Sequence, residues 1–434
     1  MRIDKLTLSN YRAFEKFEVN FHPELTVLIG ENGAGKSTIL EGLAVALGAW
    51  LGGFASLRED FSIPTDCPRR VLLESDGLAT TEVRYPVRVE ACGEVRGQLI
   101  EWARELRHSK GRTTRGEAAS IRTLARTVEE DLTQNGVELP VISCYGTGRL
   151  WLQRRDKKRK QEQLASRLMG YTSALDAASD PKHFEAWMRW RTENALLRMA
   201  RAQAAGKPMD DVESPHLDAV EAAACACLPG AKRFYFSIYH QDLRIERADG
   251  VDIPFRSLSD GQRNIVAVAA DIAWRAAQLN PQYGRDAAER IAGIVLIDEV
   301  ELHLHPQWQR SVVGDLRRTF PRVQFVMTTH SPQVVSTIPR ESVRVLHGDD
   351  APLSAGHVEG RDSNTILERT FDVSARPVET QHRLDELASL IDDEDLTSAR
   401  AMLETLRTRL GDDDPDVVAA AWEIRATAGD HVAD

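Results

Sequence analysis

The stretch Gly30-Glu31-Asn32-Gly33-Ala34-Gly35-Lys36-Ser37-Thr38 constrains this chain more than any other. It fits the pattern G-x-x-x-x-G-K-[ST], and its context fits as well. Leu25 to Ile29 before it is short, apolar and partly β-branched, which reads as a buried strand, and Ile39 to Leu47 after it has a helical pattern. A strand, a glycine-rich loop and a helix are the setting this motif requires. Gly33 and Gly35 let the backbone curl so that successive N–H groups point into one concavity, and the helix N-terminus adds partial positive charge. Lys36 is placed to reach the β- and γ-phosphates of a nucleotide, and the Ser37 hydroxyl to ligate magnesium. A glycine turn that merely caps a helix would leave Lys-Ser-Thr in register for no reason. The nine residues Gly30 to Thr38 therefore predict a nucleoside-triphosphate site.

The 434 residues leave room for two or three domains. No run of eighteen apolar residues is present to span a bilayer, and Met1 to Leu6 has no apolar signal core, so neither membrane insertion nor export is expected. The five cysteines form no C-x-x-C pair and no zinc spacing with histidine, which predicts buried free thiols in a reducing cytoplasm. Formal charge is −11, and Arg376 to Asp434 holds fifteen Asp or Glu against six Arg, −9, which leaves −2 for the rest. That balance argues against nucleic-acid binding by the whole surface.

Along the chain, Ile3 to Ser9 and Lys16 to Phe21 alternate as two strands and lead into the strand at 25–29. Thr81 to Ala91 alternates again, with Pro86 pushing that strand towards an edge or a bulge. Glu94 to about Gln134 reads as helical and charged, broken around Ser109 to Thr114. Pro140 to Tyr145 reads as a buried strand ending in Gly146-Thr147-Gly148-Arg149. From Leu150 to about Leu228 nothing reads as a strand, and Pro181, Pro208 and Pro215 divide a helical insertion that sustains no heptad repeat. It contains Arg154-Arg155-Asp156-Lys157-Lys158-Arg159-Lys160, the densest basic run in the chain. As a charge run it reads first as a solvated helix face, the alternative being contact with a nucleic-acid backbone through Arg154, Arg155, Lys157, Lys158, Arg159 and Lys160. Phe184, Trp187, Met188 and Trp190 have the spacing of a helix core rather than of a base-stacking platform. Phe234 to Ile238 and Leu243 to Glu246 read as strands, and Ala248-Asp249-Gly250 as a hairpin turn into Val251 to Phe255.

Three later stretches narrow the chemistry. Ser257-Leu258-Ser259-Asp260-Gly261-Gln262 precedes an apolar helix, Ile265 to Leu279, and a serine hydroxyl with glycine N–H groups at a helix start is suited to a γ-phosphate. Ile291 to Ile297 is a strand-length apolar run ending in Asp298-Glu299, which puts two acids at the C-terminal edge of a parallel sheet, where such sheets hold ligands. Asp298 is placed to hold magnesium and Glu299 to act as general base on water. Val323 to Thr329 is a further buried strand, ending in His330, which could sense the γ-phosphate.

In that order, these motifs resemble the ATP-binding-cassette (ABC) ATPases, in the branch that includes RecF, SMC, Rad50 and the overcoming-lysogenisation-defect nucleases. Leu8 to Phe14 is similar to that branch's N-terminal signature, Ser257 to Gln262 to its signature motif, and Asp298 to Pro306 to its Walker B and D-loop, with Val300 where many relatives have proline. His303 and His305 then belong to a dimer-contact loop rather than to a metal site. Cys144 to Trp151 and Gly360 to Glu368 resemble PtuA, the ATPase of Septu and certain retron antiphage systems. The resemblance implies an α/β fold: an ABC-ATPase head with a mixed or parallel sheet and a phosphate loop, a helical insertion and a C-terminal helical segment. It implies ATP and Mg2+ as ligands and a head-to-tail homodimer, or a larger assembly, in which Ser259, Gly261 and Gln262 complete the partner's site. It also implies an HNH nuclease as a separate partner, while the cytoplasmic location rests on the free cysteines and the absence of an export signal. No clean Q-loop glutamine is present, Gln153 being the nearest.

The expected organisation is head at 1–149, helical insertion at 150–232, the rest of the head at 233–345, and a mainly helical acidic region at 346–434. Asp393-Glu394-Asp395 has the letters of a Toprim nuclease, but the acids fall between helices and read as solvated helix ends. The rival function is a RecF-like repair ATPase that binds DNA directly.

Overall fold

The structure, a computed structural model, describes residues 1–57, 61–75, 78–133, 136–149, 166–177, 181–206, 214–348 and 350–428. The chain opens with strands β1 (Arg2–Tyr11), β2 (Phe14–Asn20) and β3 (Leu25–Gly30), then helix α1 (Lys36–Leu51). A hairpin of β4 (Arg70–Ser75) and β5 (Leu78–Val83) leads to β6 (Val87–Val95), β7 (Gln98–Leu106), α2 (Ala119–Glu130) and β8 (Val141–Tyr145). Helices α3 (Pro181–Ala204) and α4 (Pro215–Ala226) follow, then β9 (Ala231–Ser237), β10 (Asp242–Arg247), β11 (Asp252–Pro254) and α5 (Asp260–Leu279). The core closes with β12 (Gly293–Ile297), α6 (Val312–Thr319), β13 (Val323–Thr328), β14 (Val343–Leu346) and β15 (Leu353–Ser354). Four helices end the chain: α7 (Ser363–Thr370), α8 (Val378–Asp392), α9 (Leu396–Leu410) and α10 (Pro415–Thr427).

The central sheet runs β15-β14-β3-β13-β12-β8, parallel throughout except for β15. Its strands β3, β8, β12 and β13 are buried on both faces, which explains why they are mostly apolar, with Thr26, Ser143, Gln324 and Thr328 as their buried polar residues. An antiparallel sheet, β2-β1-β6-β7, lies on the other side of α1, which touches β1, β6 and β7 as well as β3 and β13. Helix α1 is therefore hydrophobic nearly all round, with Leu43, Val45, Leu47 and Trp50 fully buried. At roughly 1.5–3 kcal/mol for each such side chain, α1 holds the two sheets together.

The expected strands at 3–9, 16–21, 25–29, 140–145, 291–297 and 323–329 all form within a few residues of those limits. Two expectations fail. Gln98–Leu106 is an edge strand, not helix. Trp102 donates its indole N–H to the Ala46 carbonyl at 3.0 Å, and the buried Arg104 donates to the Val45 and Phe61 carbonyls at 3.2 and 2.6 Å. Polar atoms of α1 and its flank thus satisfy side chains that, read alone, look like a helix's charged face. The run at Thr81–Ala91 is two strands, because Pro86 ends pairing with β4 and β6 then joins β1 and β7 inside the antiparallel sheet. Phe184, Trp187 and Met188 are core residues of α3 as expected, while Cys92 and Cys225 are only half-buried. The basic run 154–160 and Gln153 lie outside the described residues.

Residues Met1–Arg361 form one compact unit and Asp362–Asp434 a second. The second has its own core, in which Leu387, Ile391, Leu403, Leu406, Val417 and Ile424 join α8, α9 and α10. Arg376 bridges Asp414 and Asp416 at 2.9 and 2.5 Å. This unit holds 18 Asp or Glu against 7 Arg, −11, and the first unit holds 48 acids against 48 bases, so the whole formal charge resides in the helical end. Asp393-Glu394-Asp395 sits in the turn between α8 and α9, where the Asp395 carboxylate caps α9 by accepting from Ser398 N.

Candidate nucleotide site

Strand β3 ends at Gly30, the loop curls through Gly33 and Gly35 with φ of 87° and 91°, and α1 starts at Lys36. Both glycines sit in the left-handed region that L side chains avoid. Gly35 has a second reason: a Cβ there would lie 2.2 Å from the Phe14 ring, which itself stacks on Phe17 at 4.2 Å. The turn between β1 and β2 therefore buttresses the phosphate loop. Glu31, Asn32, Gly33 and Ser37 face solvent along the loop, and Ala34 and Lys36 are buried. The Lys36 ammonium donates to the Gly30 and Glu31 carbonyls, each at 2.8 Å, which bends it back over the concavity. Burial pushes its pKa down, while Asp298, Glu299 and Glu301 nearby push the other way.

The register Phe325↔Leu25 and Ile297↔Met327 sets the ends of β3, β13 and β12 level, so the residues that follow them share one sheet edge. Asp298 receives the Ser37 hydroxyl at 2.9 Å on one carboxylate oxygen and the Thr328 hydroxyl at 2.6 Å on the other. Its N–H donates to the Tyr145 carbonyl of β8 at 2.8 Å, which fixes it from the far side. Glu299 has φ 47°, an unusual conformation for a glutamate, and its N–H donates to Thr328 Oγ1 at 2.7 Å. Glu301 accepts from Thr329 Oγ1 at 2.7 Å and from the His330 N–H at 2.6 Å. The edge thus gathers Lys36, Ser37, Asp298, Glu299 and His330, the residues whose chemistry the sequence singles out.

A hydroxyl and a carboxylate oxygen 2.9 Å apart, beside an N–H-lined loop, form a hard-oxygen donor set that suits a phosphate-bound magnesium ion. Among the described residues no group of three His, Cys, Asp or Glu forms a metal cluster, and the His305 Nδ1 instead accepts from Gln307 N at 3.3 Å as a helix cap. Ser259, Gly261 and Gln262 lie elsewhere, at the start of α5. Ser259 and Gln262 form a capping box there, each side chain accepting from the other residue's N–H, at 3.3 and 3.2 Å. Gly261 presses on the loop after Glu299, since a Cβ there would lie 2.3 Å from the His303 carbonyl oxygen. The sequence motifs include Phe14, Tyr145, Thr328, Thr329 and Glu301 without giving any of them a role at the site. For Thr328 and Thr329 the readable signal was a pair of hydroxyls closing a mostly apolar strand.

An AAA-domain family model matches residues 5–186, and a second AAA-domain model, described with a type IV toxin–antitoxin system, matches residues 175–336. The chain resembles ABC-type ATPases of the branch that includes RecF and Rad50, members of which are 44–49% identical to it over 10–11% of its length. Within that branch, its likeness to retron ATPases runs along nearly its full length. It is 28% identical to the Retron Ec83 probable ATPase of Escherichia coli, over 98% of this chain and 86% of that protein. It is 24% identical to the Retron Vc95 probable ATPase of Vibrio cholerae, over 80% and 74%. A shorter match, 44% identical, covers 17% of this chain and 10% of the Septu protein PtuA of Bacillus mycoides. Among solved structures, the SMC head domain of Thermotoga maritima is 15% identical with a TM-score of 0.43, over 82% of this chain and 100% of that one.

Proposed function

We propose that this chain is the ATP-binding and hydrolysing subunit of a bacterial antiphage complex, in which ATP-dependent head-to-tail dimerisation regulates a separate HNH nuclease. The likeness to a retron ATPase along 98% of the chain carries this reading. The loop Gly30–Thr38 wraps the phosphates, with the Lys36 ammonium swinging from the Gly30 and Glu31 carbonyls onto the β- and γ-phosphates. Ser37 and Asp298 would hold Mg2+, which supplies charge neutralisation on the phosphate oxygens. Glu299 takes a proton from water as its oxygen attacks the γ-phosphorus; the bond to the β-phosphate oxygen breaks and ADP leaves. His330 contacts the γ-phosphate. Ser259, Gly261 and Gln262 of a second copy close the site, consistent with their position at the start of α5 rather than in the phosphate loop.

Among the described residues no helix is long and apolar enough to cross a membrane. Co-expression with the adjacent open reading frames and phage plating tests the proposed role. Protection should require Lys36 and Glu299, and DNA cleavage should require the partner chain. Full protection by Lys36→Ala would sink the reading, and tight salt-sensitive DNA binding by this chain without a partner would favour the RecF-like alternative.

A further inference from the structure

Two features of this chain that the proposed ATPase cycle uses separately are physically joined. The start of α5, which carries Ser259 and Gly261, rests on the loop that follows Glu299: Gly261 has no room for a Cβ against the His303 carbonyl, and Asn264 Nδ2 donates to the Leu302 carbonyl at 3.2 Å. That loop is a tight unit, with Leu302 N donating to Glu299 O at 2.9 Å and Leu304 N to Glu301 O at 2.8 Å. From its middle, the Glu301 carboxylate crosses to the end of β13 and takes both the Thr329 hydroxyl and the His330 N–H. A charged acceptor with two short bonds is among the stronger links available to a loop, and it fixes the His330 backbone rather than its ring. Gln309 adds a neutral strut alongside, donating to the Leu304 carbonyl at 2.9 Å and accepting from the Ser331 hydroxyl at 2.6 Å.

We infer that Glu301 is a positioning residue that ties His330 to the start of α5, so that engagement of Ser259 and Gly261 with one nucleotide sets His330 for the other. The inference rests on the proposed dimer: Ser259 and Gly261 face the partner's ATP while His330 of the same chain faces its own. A shift of α5 by the partner nucleotide moves the 300–304 loop, and through the Glu301 carboxylate it moves the His330 backbone. The two hydrolysis sites of the dimer are coupled by this carboxylate, and ATP binding in the phosphate loop does not depend on it.

The test compares full-length wild type with Glu301→Ala, Glu301→Gln and Thr329→Val. Three quantities are read: ATP-analogue affinity, the ATP-dependent dimer fraction by sedimentation, and the rate and Hill coefficient of hydrolysis. For Glu301→Ala, affinity and dimer fraction should stay within about twofold of wild type. Its kcat should fall by at least about tenfold, since both charge-assisted hydrogen bonds of the carboxylate are lost, and its Hill coefficient should drop to about 1. Glu301→Gln keeps one acceptor oxygen and should recover part of the loss, and Thr329→Val, which removes one of the two bonds, should move in the same direction. Unchanged kcat and Hill coefficient in Glu301→Ala, with a wild type that dimerises, overturn this inference alone. Loss of ATP affinity in Glu301→Ala also overturns it, because the carboxylate would then only hold the fold. A wild type that binds ATP but never dimerises overturns the dimer reading and this coupling with it, an outcome seen in the wild type before any variant is made.

Discussion

The Thr328 hydroxyl donates to Asp298 at 2.6 Å while accepting from the Glu299 N–H at 2.7 Å, so one buried side chain anchors both acids that follow β12. Thr328→Val keeps the shape and removes both bonds. The Glu299 N–H is then left without this acceptor and Asp298 loses one of its two hydroxyl donors. We expect a loss of about 1–3 kcal/mol in stability, the cost of an unmet buried donor. Magnesium-dependent ATP affinity should weaken roughly tenfold, while affinity measured in EDTA changes little. Equal weakening with and without the metal would show that Thr328 does not act through Asp298.

Glu299→Gln should preserve ATP binding and lower turnover by at least about a hundredfold, the usual scale for loss of a general base. The amide keeps the side chain's size, and the bond from the Glu299 N–H to Thr328 Oγ1 is a backbone contact that the change leaves alone. ATP-bound dimer should accumulate in sedimentation. A variant that hydrolyses ATP at the wild-type rate would remove Glu299 from the base's role.

Gly35→Ala should abolish nucleotide binding for two separable reasons. Its Cβ meets the Phe14 ring at 2.2 Å, and its φ of 91° is strained for any L side chain. Overpacking of this kind costs roughly 1–3 kcal/mol and the left-handed backbone about 1–2 kcal/mol more. Adding Phe14→Ala relieves only the first, so the double variant should regain part of the ATP affinity that Gly35→Ala loses. No recovery at all would mean that Phe14 does not press on the loop in solution.

The strands of this chain and the sheet edge they share were legible where local pattern and tertiary role agree. Leu25–Ile29, Ile294–Ile297 and Val323–Met327 are buried on both faces and, Thr26 and Gln324 apart, apolar, because the parallel sheet is covered on both sides, and the residues after each strand end had to share an edge. Gln98–Leu106 was not legible, because its polar groups are satisfied by carbonyls of α1 and Phe61, which lie 43 to 59 residues away in the chain. Glu301 and Thr329 escaped for a related reason. One acid among Asp298, Glu299 and Glu301 looks like another, and only the fold shows that the third reaches the backbone of His330.

His216, at the start of α4, gives the first unit an acid-sensitive point. Burial, with Arg191 and then Arg198 nearby, lowers its pKa from 6.5 to about 4, opposed by its bond to the Pro281 carbonyl, and its Nε2 has no partner among the described residues. The folded state therefore prefers the neutral ring. Above pH 6.5 both folded and unfolded chains hold it neutral and nothing is lost. As pH falls from 6.5 towards 4 the unfolded chain takes up a proton that the folded chain refuses, so stability declines across that window. At pH 5 this amounts to up to about 2 kcal/mol. His216→Leu should flatten that part of the curve, so that the fall in melting temperature between pH 7.5 and pH 5 is smaller than in wild type. Parallel curves for the two proteins would place the acid sensitivity elsewhere in the chain.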